Sequence, residues 1–425
     1  MKRLLLSAAL AWPLLAGRLT LEQALEKAGS ANPDIQKARL RVLESEAQAL
    51  VRRAALRPQL SVGASGAQQT SNLTGIGLSG QGLPSRVGPY TVFDARPRVT
   101  QTVLDLSLLA AWRAAKERGG VARDEAEAMA EQTRAAVVDV YLRALAADSR
   151  ARAAEARATT ARALWSQVSA AEAAGTSSKL DVARAAQRME SEQVTVVLSR
   201  RDRDALVTLL KKTIGLEQGE AVELVDVEAA GPEPEARVRA EARALESKRR
   251  ALVEEKKQAE RERWPKLSAV ADYGVLGQSP IRSLSTYTLG VSLTIPVWTS
   301  GRIENEIKAA GLRIAQVDQE RRALDLATAQ EVARAQIERD AAHEAGAVTA
   351  RAAAAARQSL ELARLRHGAG LTTNLDVITA QGELAQAEEE AIRVRYEGLL
   401  ASARLAQALG DVSAFAKGGT LRGWI

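Results

Sequence analysis

Gly175-Thr176-Ser177-Ser178-Lys179-Leu180-Asp181-Val182 and Gly370-Leu371-Thr372-Thr373-Asn374-Leu375-Asp376-Val377 are one motif written twice, 195 residues apart. The shared pattern is glycine, any residue, two hydroxyls, any residue, then Leu-Asp-Val. Each copy lies between two runs of helical periodicity, so each reads as the tip of a helical hairpin. Glycine suits the left-handed turn that ends an incoming helix. Ser178 and Thr373 are placed to cap the outgoing helix, with Asp181 and Asp376 three residues on. That is the spacing of a capping box, with Asp where Glu or Gln is usual. A hairpin that occurs twice implies a chain built as two structural repeats.

Working outward, a proline-free helix is expected from about Ser107 to Ala174, ~100 Å long at 1.5 Å per residue. A shorter helix of ~55 Å returns from Ser178 to Ile214, where Gly215 stops it. The second half repeats this order. A long helix of ~100 Å descends from Ser300-Gly301 to His367. Its return helix ends at Leu409-Gly410, and Gly410 follows Gly215 by the same 195 residues. Before each long helix come a shorter one and a strand pair. The short helices are Leu19–Leu56, interrupted at Asn32-Pro33, and about Ala236–Arg263.

Alternation of apolar and polar residues marks strands at about 58–70, 90–105, 265–278 and 286–299. In the second, Phe93, Ala95, Val99 and Val103 share one face, with Asp94, Arg96, Arg98, Thr100 and Thr102 on the other. In the fourth, Tyr287, Leu289, Val291, Leu293, Ile295 and Val297 alternate with small or polar residues. The expected division is therefore a signal segment at 1–17, a first repeat at 18–215 and an equatorial linker at 216–235. A second repeat at 236–410 and an irregular tail at 411–425 complete it. Two short helices end to end would match one long one if all lie along a common axis, with strands at one end and tips at the other.

Composition supports rods over globules. Aromatics make up only 3 % of the chain, and long tracts are built of Ala, Arg, Glu, Leu and Gln, as in packed long helices. The apolar positions recur too regularly for disorder. With no cysteine, the chain has no disulfide, no thiol nucleophile, no Cys-ligated metal and no residue for lipoprotein acylation. Two histidines, His343 and His367, are too few for a histidine metal cluster. The net charge of +7 is dispersed as interleaved Arg and Glu, which reads as solvated helix faces rather than a nucleic-acid surface. Lys2-Arg3 followed by an apolar core to Leu15 reads as an export signal.

The strands allow two readings. They could form a small soluble sheet capping a helical bundle. Alternatively, their apolar face meets lipid, with Trp264 and Trp298 at the helix-proximal ends as interface aromatics. In lipid, an open sheet edge leaves backbone groups unpaired at several kcal/mol each, and the smallest membrane barrels have about eight strands. On the second reading, several chains must complete one barrel.

The order of these elements resembles the TolC-like outer membrane efflux protein family, from Leu19 to about Val412. The carrying features are Leu19-Thr20-Leu21-Glu22-Gln23-Ala24-Leu25 with Asn32-Pro33, and the strand starts Pro58-Gln59-Leu60-Ser61 and Pro265-Lys266-Leu267-Ser268. Pro296-Val297-Trp298 leading to Gly301, and both tips, complete the set. The resemblance implies a mainly α fold with a small β part: duplicated coiled-coil hairpins forming an α-barrel, and four membrane strands per chain in a shared trimeric twelve-stranded β-barrel. It implies a location in the outer membrane with a tunnel into the periplasm, and as partners a homotrimer, outer membrane lipid, a periplasmic adaptor and an inner membrane pump. No nucleic acid, cofactor or metal is implied.

Family members close the tunnel at its tips. On that pattern the gate positions here are Asp376, Asp181, His367, Thr372 and Thr379. This chain departs from the family at three of them. Thr379 stands where a second aspartate is expected, His367 where a tyrosine is, and Thr372 where an arginine is. An Arg–Asp lock between Thr372 and Asp181 is therefore missing. Adaptor docking would fall on Gly175-Thr176-Ser177 and Gly370-Leu371-Thr372. The expected function is a passive export duct for small toxic molecules such as drugs or metals, without catalysis. The alternatives are a duct for type I protein secretion and, in a different class, a periplasmic adaptor or helical scaffold.

Overall fold

A computed structural model describes residues 17–77, 82, 84–227 and 235–416. The expected signal segment, apart from Gly17, and the tail beyond 416 lie outside the described residues. The chain opens with β1 (Gly17–Leu19), α1 (Leu21–Ala31) and α2 (Pro33–Ala54). Thr20 and Gln23 form a reciprocal capping box that starts α1. Asn32 ends α1 and starts α2, its Oδ1 accepting from the N–H of Asp34 at 2.8 Å and of Ile35 at 3.2 Å. Pro33 suits that first helical position, because its missing N–H would have no helical acceptor there.

Next come β2 (Gln59–Asn72), β3 (Arg86–Leu104), the 68-residue helix α3 (Leu106–Ala173) and α4 (Lys179–Ile214). The second half runs β4 (Val222–Leu224), α5 (Ala240–Arg261), β5 (Lys266–Ser279), β6 (Arg282–Thr294) and the 67-residue helix α6 (Arg302–Gly368). It ends with α7 (Asn374–Ala408) and α8 (Val412–Ala416). Two compact units result. One takes residues up to 39, 125–242 and from 323 on; the other takes 40–124 and 243–322.

In the first unit, the largest core joins α1, α3, α4, α7 and α8 around Ala24, Ala28, Val137, Tyr141, Leu145, Ile214, Leu399 and Phe415. Alanines at the contacts let helices approach closely. Tyr141 is fully buried, and its Oη lies 2.7 Å from both Leu19 O and Val225 O, one at either side of the parallel pair β1–β4. Burial pushes its phenol up to about 12, because the charged form would be desolvated.

In the second unit, one antiparallel sheet has the strand order β2-β3-β5-β6. The helices follow the same order, as ion pairs show. Arg123 of α3 meets Glu46 of α2 at 2.6 Å, and Arg118 of α3 meets Glu255 of α5 at 2.5 Å. Lys248 and Arg249 of α5 then reach Glu320 and Asp318 of α6 at 2.8 and 2.9 Å. Each strand thus continues the lateral position of the helix it adjoins. These pairs are exposed and each contributes little to stability, about 0–1 kcal/mol; their use is in fixing neighbours.

Four departures from the sequence expectation have local causes. The fourth strand starts earlier and stops at Thr294, so Ile295 and Val297 lie beyond it. Pro296 cannot donate to a ladder, and Ser300 (φ 51°) and Gly301 (φ 78°) then turn the chain into α6. Val103 falls at a register shift: Thr102 pairs with Ser268 and Leu104 with Leu267, leaving Val103 as the extra residue of a bulge. The linker contains a strand, β4, which pairs in parallel with β1. The tail is not wholly irregular, because Asp411 caps α8 by accepting from Ser413 Oγ at 2.8 Å and Ala414 N–H at 3.2 Å.

Candidate functional sites at the hairpin tips and the sheet faces

Both tips are built the same way. At the first, Gly175 (φ +78°) donates to Glu172 O at 2.8 Å and Thr176 N–H to Ala171 O at 2.9 Å. At the second, Gly370 (φ +70°) donates to His367 O and Leu371 N–H to Arg366 O, each at 2.9 Å. These are Schellman closures, in which a left-handed residue satisfies the last helical carbonyls. Ser177 and Thr372 follow in the turns, and Thr176 Oγ1 adds a bond to Ala171 O at 3.0 Å. Reciprocal capping boxes then start α4 with Ser178 and Asp181, and α7 with Thr373 and Asp376.

The two carboxylates differ in their surroundings. Asp181 accepts from Ser178 Oγ at 2.6 Å and Ser178 N–H at 3.4 Å. Asp376 accepts from Thr373 N–H and Oγ1, each at 3.2 Å, and additionally from the hydroxyl of Thr372. The Thr372 hydroxyl first, and then Thr373, hold the Asp376 carboxyl below its ordinary value. Thr372, at the expected arginine position, thus serves the aspartate of its own turn. His367 Nδ1 lies 3.3 Å from Thr372 O, while the Thr379 hydroxyl is spent on Leu375 O at 2.9 Å. The structure therefore brings Thr372, Asp376 and His367 together. Among the described residues, the hydrogen bonds of Asp181 stay within its own turn. Near the tips the two hairpins share an apolar core, formed by Leu164, Val168, Ala185, Leu360, Val377 and Ala380.

The sheet has two unlike faces. Residues directly opposite each other project to the same side, so the register groups Leu60, Val62, Ala95, Val99, Ala271, Tyr273, Tyr287, Leu289, Val291 and Leu293 on one side. Leu289 is 81 % exposed and Tyr287, paired with Tyr273, 78 %. A soluble sheet would not leave this face bare, since exposed apolar patches of such size mark contact surfaces. Trp264 and Trp298, just outside β5 and β6, are exposed as well. The outer edges of β2 and β6 have no strand partner among the described residues. No helix among the described residues is long and apolar enough to cross a membrane.

The opposite face carries Ser61, Ser65, Asp94, Arg96, Arg98, Thr100, Asp272 and Thr288. Arg96 bridges Asp94 at 2.5 Å and Asp272 at 3.0 Å, and Arg98 approaches Asp272 at 3.4 Å. Gly274 makes room for this: a Cβ added there would lie 2.3 Å from Arg96 Cβ. Sequence reading found the arginines but missed Asp272. The available signal was one acidic residue at a polar-face position between Ala271 and Tyr273.

Comparison with known proteins identifies a family for the chain. The outer membrane efflux protein family matches residues 24–216 and 235–411. A curated relative, the pyoverdine export outer membrane protein OpmQ of Pseudomonas putida, is 26 % identical across 92 % of this chain and 85 % of its own length. The fold is shared with the CmeC outer membrane channel of Campylobacter jejuni: TM-score 0.80 at 15 % identity, covering 92 % of this chain and 85 % of that one. It is also shared with the outer membrane protein VceC of Vibrio cholerae: TM-score 0.77 at 18 % identity, covering 92 % and 96 %. Matched over residues 24–216 and 235–411, which together span most of its length, the chain belongs to the outer membrane efflux protein family.

Proposed function

We propose that this chain is one third of a passive duct in the outer membrane. Three copies close a shared twelve-stranded barrel in lipid, and their helical hairpins continue it as a periplasmic tunnel. Small toxic molecules leave through it, driven by an inner membrane pump and joined to that pump by a periplasmic adaptor. The tip residues Asp181, Asp376, His367, Thr372 and Thr379 would line the tunnel's closure, and the turns at Gly175-Thr176-Ser177 and Gly370-Leu371-Thr372 would receive the adaptor.

The observation that carries this reading is the bare apolar face on a sheet with two open edges. Four strands cannot close on themselves, and in hydrocarbon their edge groups cannot stay unpaired, so sister chains must supply the neighbours. Exposed Leu326, Ile337, Val348 and Leu362 on α6 recur at steps of 11 or 14 residues, one stripe for lateral packing between copies. Efflux rather than another duct role is favoured by family membership and by the export role in the name of OpmQ.

The chain contains no cysteine, so introduced pairs report without background. With one cysteine at Val62 on β2 and a second scanned along Leu289, Val291 and Leu293 on β6, oxidation of outer membranes should yield species of two and three linked chains. A detergent-free, compact, soluble monomer that never cross-links would overturn the proposal.

A further inference from the structure

The four charges clustered around Asp272 on the sheet's polar face (Asp94, Arg96, Arg98 and Asp272 itself) sum to zero, but they are layered. The Asp272 side chain is 3 % exposed and lies beneath the guanidiniums; that of Arg96 is 16 % exposed and is committed to both Asp94 and Asp272. Arg98 is different. Its side chain is 52 % exposed, and its ion-pair contact among the described residues is a single one of 3.4 Å, to a carboxylate whose other oxygen Arg96 already holds. A guanidinium has five N–H donors in a planar fork suited to carboxylate, sulfonate or phosphate oxygens. Most of that capacity in Arg98 is unspent.

We propose that Arg98 is the residue at which the duct favours anionic solutes. It presents a weakly committed guanidinium to passing carboxylate, sulfonate or phosphate groups, with Asp272 as the buried counter-ion that holds it in place. This rests on the sheet being part of a barrel with a wet interior. A solute there meets the cation first and the shared anion only through it. Near a low-dielectric wall, and within one Debye length (about 8 Å at physiological salt), that ordering attracts negative groups.

The test uses a thiol as a local probe of potential. Ser61 pairs with Arg98 across β2 and β3, is exposed, and becomes the sole thiol as Ser61→Cys. Outer membranes are treated with membrane-impermeant methanethiosulfonates, one sulfonated and one trimethylammonium, and the ratio of their rates is normalised to a free thiol. Adding Arg98→Gln should lower the anionic-to-cationic ratio about four- to tenfold, as expected for one nearby charge acting on two opposite reagents. Arg98→Lys should keep the ratio, and Asp272→Asn should raise it. An unchanged ratio in Arg98→Gln overturns the proposal; should that variant fail to assemble, a ratio unmoved by Asp272→Asn does so. Leu289→Cys, on the other face, should resist both reagents. If it reacts as fast as Ser61→Cys, the barrel reading fails instead.

Discussion

Asp181 and Asp376 hold the same pose 195 residues apart, each accepting the hydroxyl and backbone N–H of the residue three before it: Ser178 in one tip, Thr373 in the other. Only Asp376 has a second hydroxyl, from Thr372. Losing a cap side chain costs about 1 kcal/mol. Ser178→Ala should therefore speed amide exchange in the first turn of α4 about fivefold, a factor that follows from that energy. Thr373→Ala should do less at α7, because Thr372 still holds the carboxylate. A larger loss at α7 than at α4 would contradict this ordering.

Tyr141 contributes a dependence of stability on alkaline pH. Its phenol ionises at about 12 in the folded chain against an ordinary 10.0. A raised value favours the protonated form, so its contribution is complete below pH 10 and drains away as pH climbs toward 12. Two units correspond to about 3 kcal/mol at most. Tyr141→Phe should unfold faster than wild type at pH 8, since Leu19 O and Val225 O lose their donor at about 1–2 kcal/mol. It should also show a shallower decline in stability between pH 10 and 12. Parallel pH profiles for the two proteins would remove Tyr141 as the source.

Much of this architecture is written in the chain because the repeat, the glycines and the alternation are local signals. Gly175 and Gly370 announce turns that only a left-handed residue closes, and Leu289, Val291 and Leu293 announce a one-sided strand. The features that were not legible depend on distant partners. β4 is three residues long and exists because β1 lies beside it. Asp272 gains its role from Arg96, 176 residues away, and Tyr141 from carbonyls on two other segments. At the tips, the spacing marked Asp376 as the capping-box partner of Thr373 but gave no hint that Thr372 would bond to it, since a hydroxyl's rotamer follows the turn rather than the pattern.

The two faces of β6 give a paired prediction. Leu289 is on the apolar side and Thr288, its neighbour, faces Asp272 on the polar side. In the proposed barrel, Leu289→Arg puts a charge on the lipid side, which costs up to about 2–4 kcal/mol, and should reduce the yield of assembled protein in outer membranes. Thr288→Arg, beside a carboxylate and in water, should assemble like wild type. Equal yields for both would mean that neither face meets lipid.

Asn374, the first residue of α7, is 4 % exposed, and among the described residues neither its side-chain oxygen nor its nitrogen has a partner. An unpaired buried amide costs about 1–3 kcal/mol. It stands one position after the Thr373 cap and three before Val377, which belongs to the apolar core joining the two hairpins. Leucine has the same branched shape and heavy-atom count, is somewhat bulkier, and has no polar atoms to desolvate. Asn374→Leu should therefore slow amide exchange in the second tip and lower the resting conductance of the reconstituted duct. Its counterpart in the first repeat, Lys179, is exposed, so Lys179→Leu should bring no such gain. If Asn374→Leu instead loosens the tip, the amide is satisfied by a neighbouring copy in the assembled duct, and the closure depends on that contact.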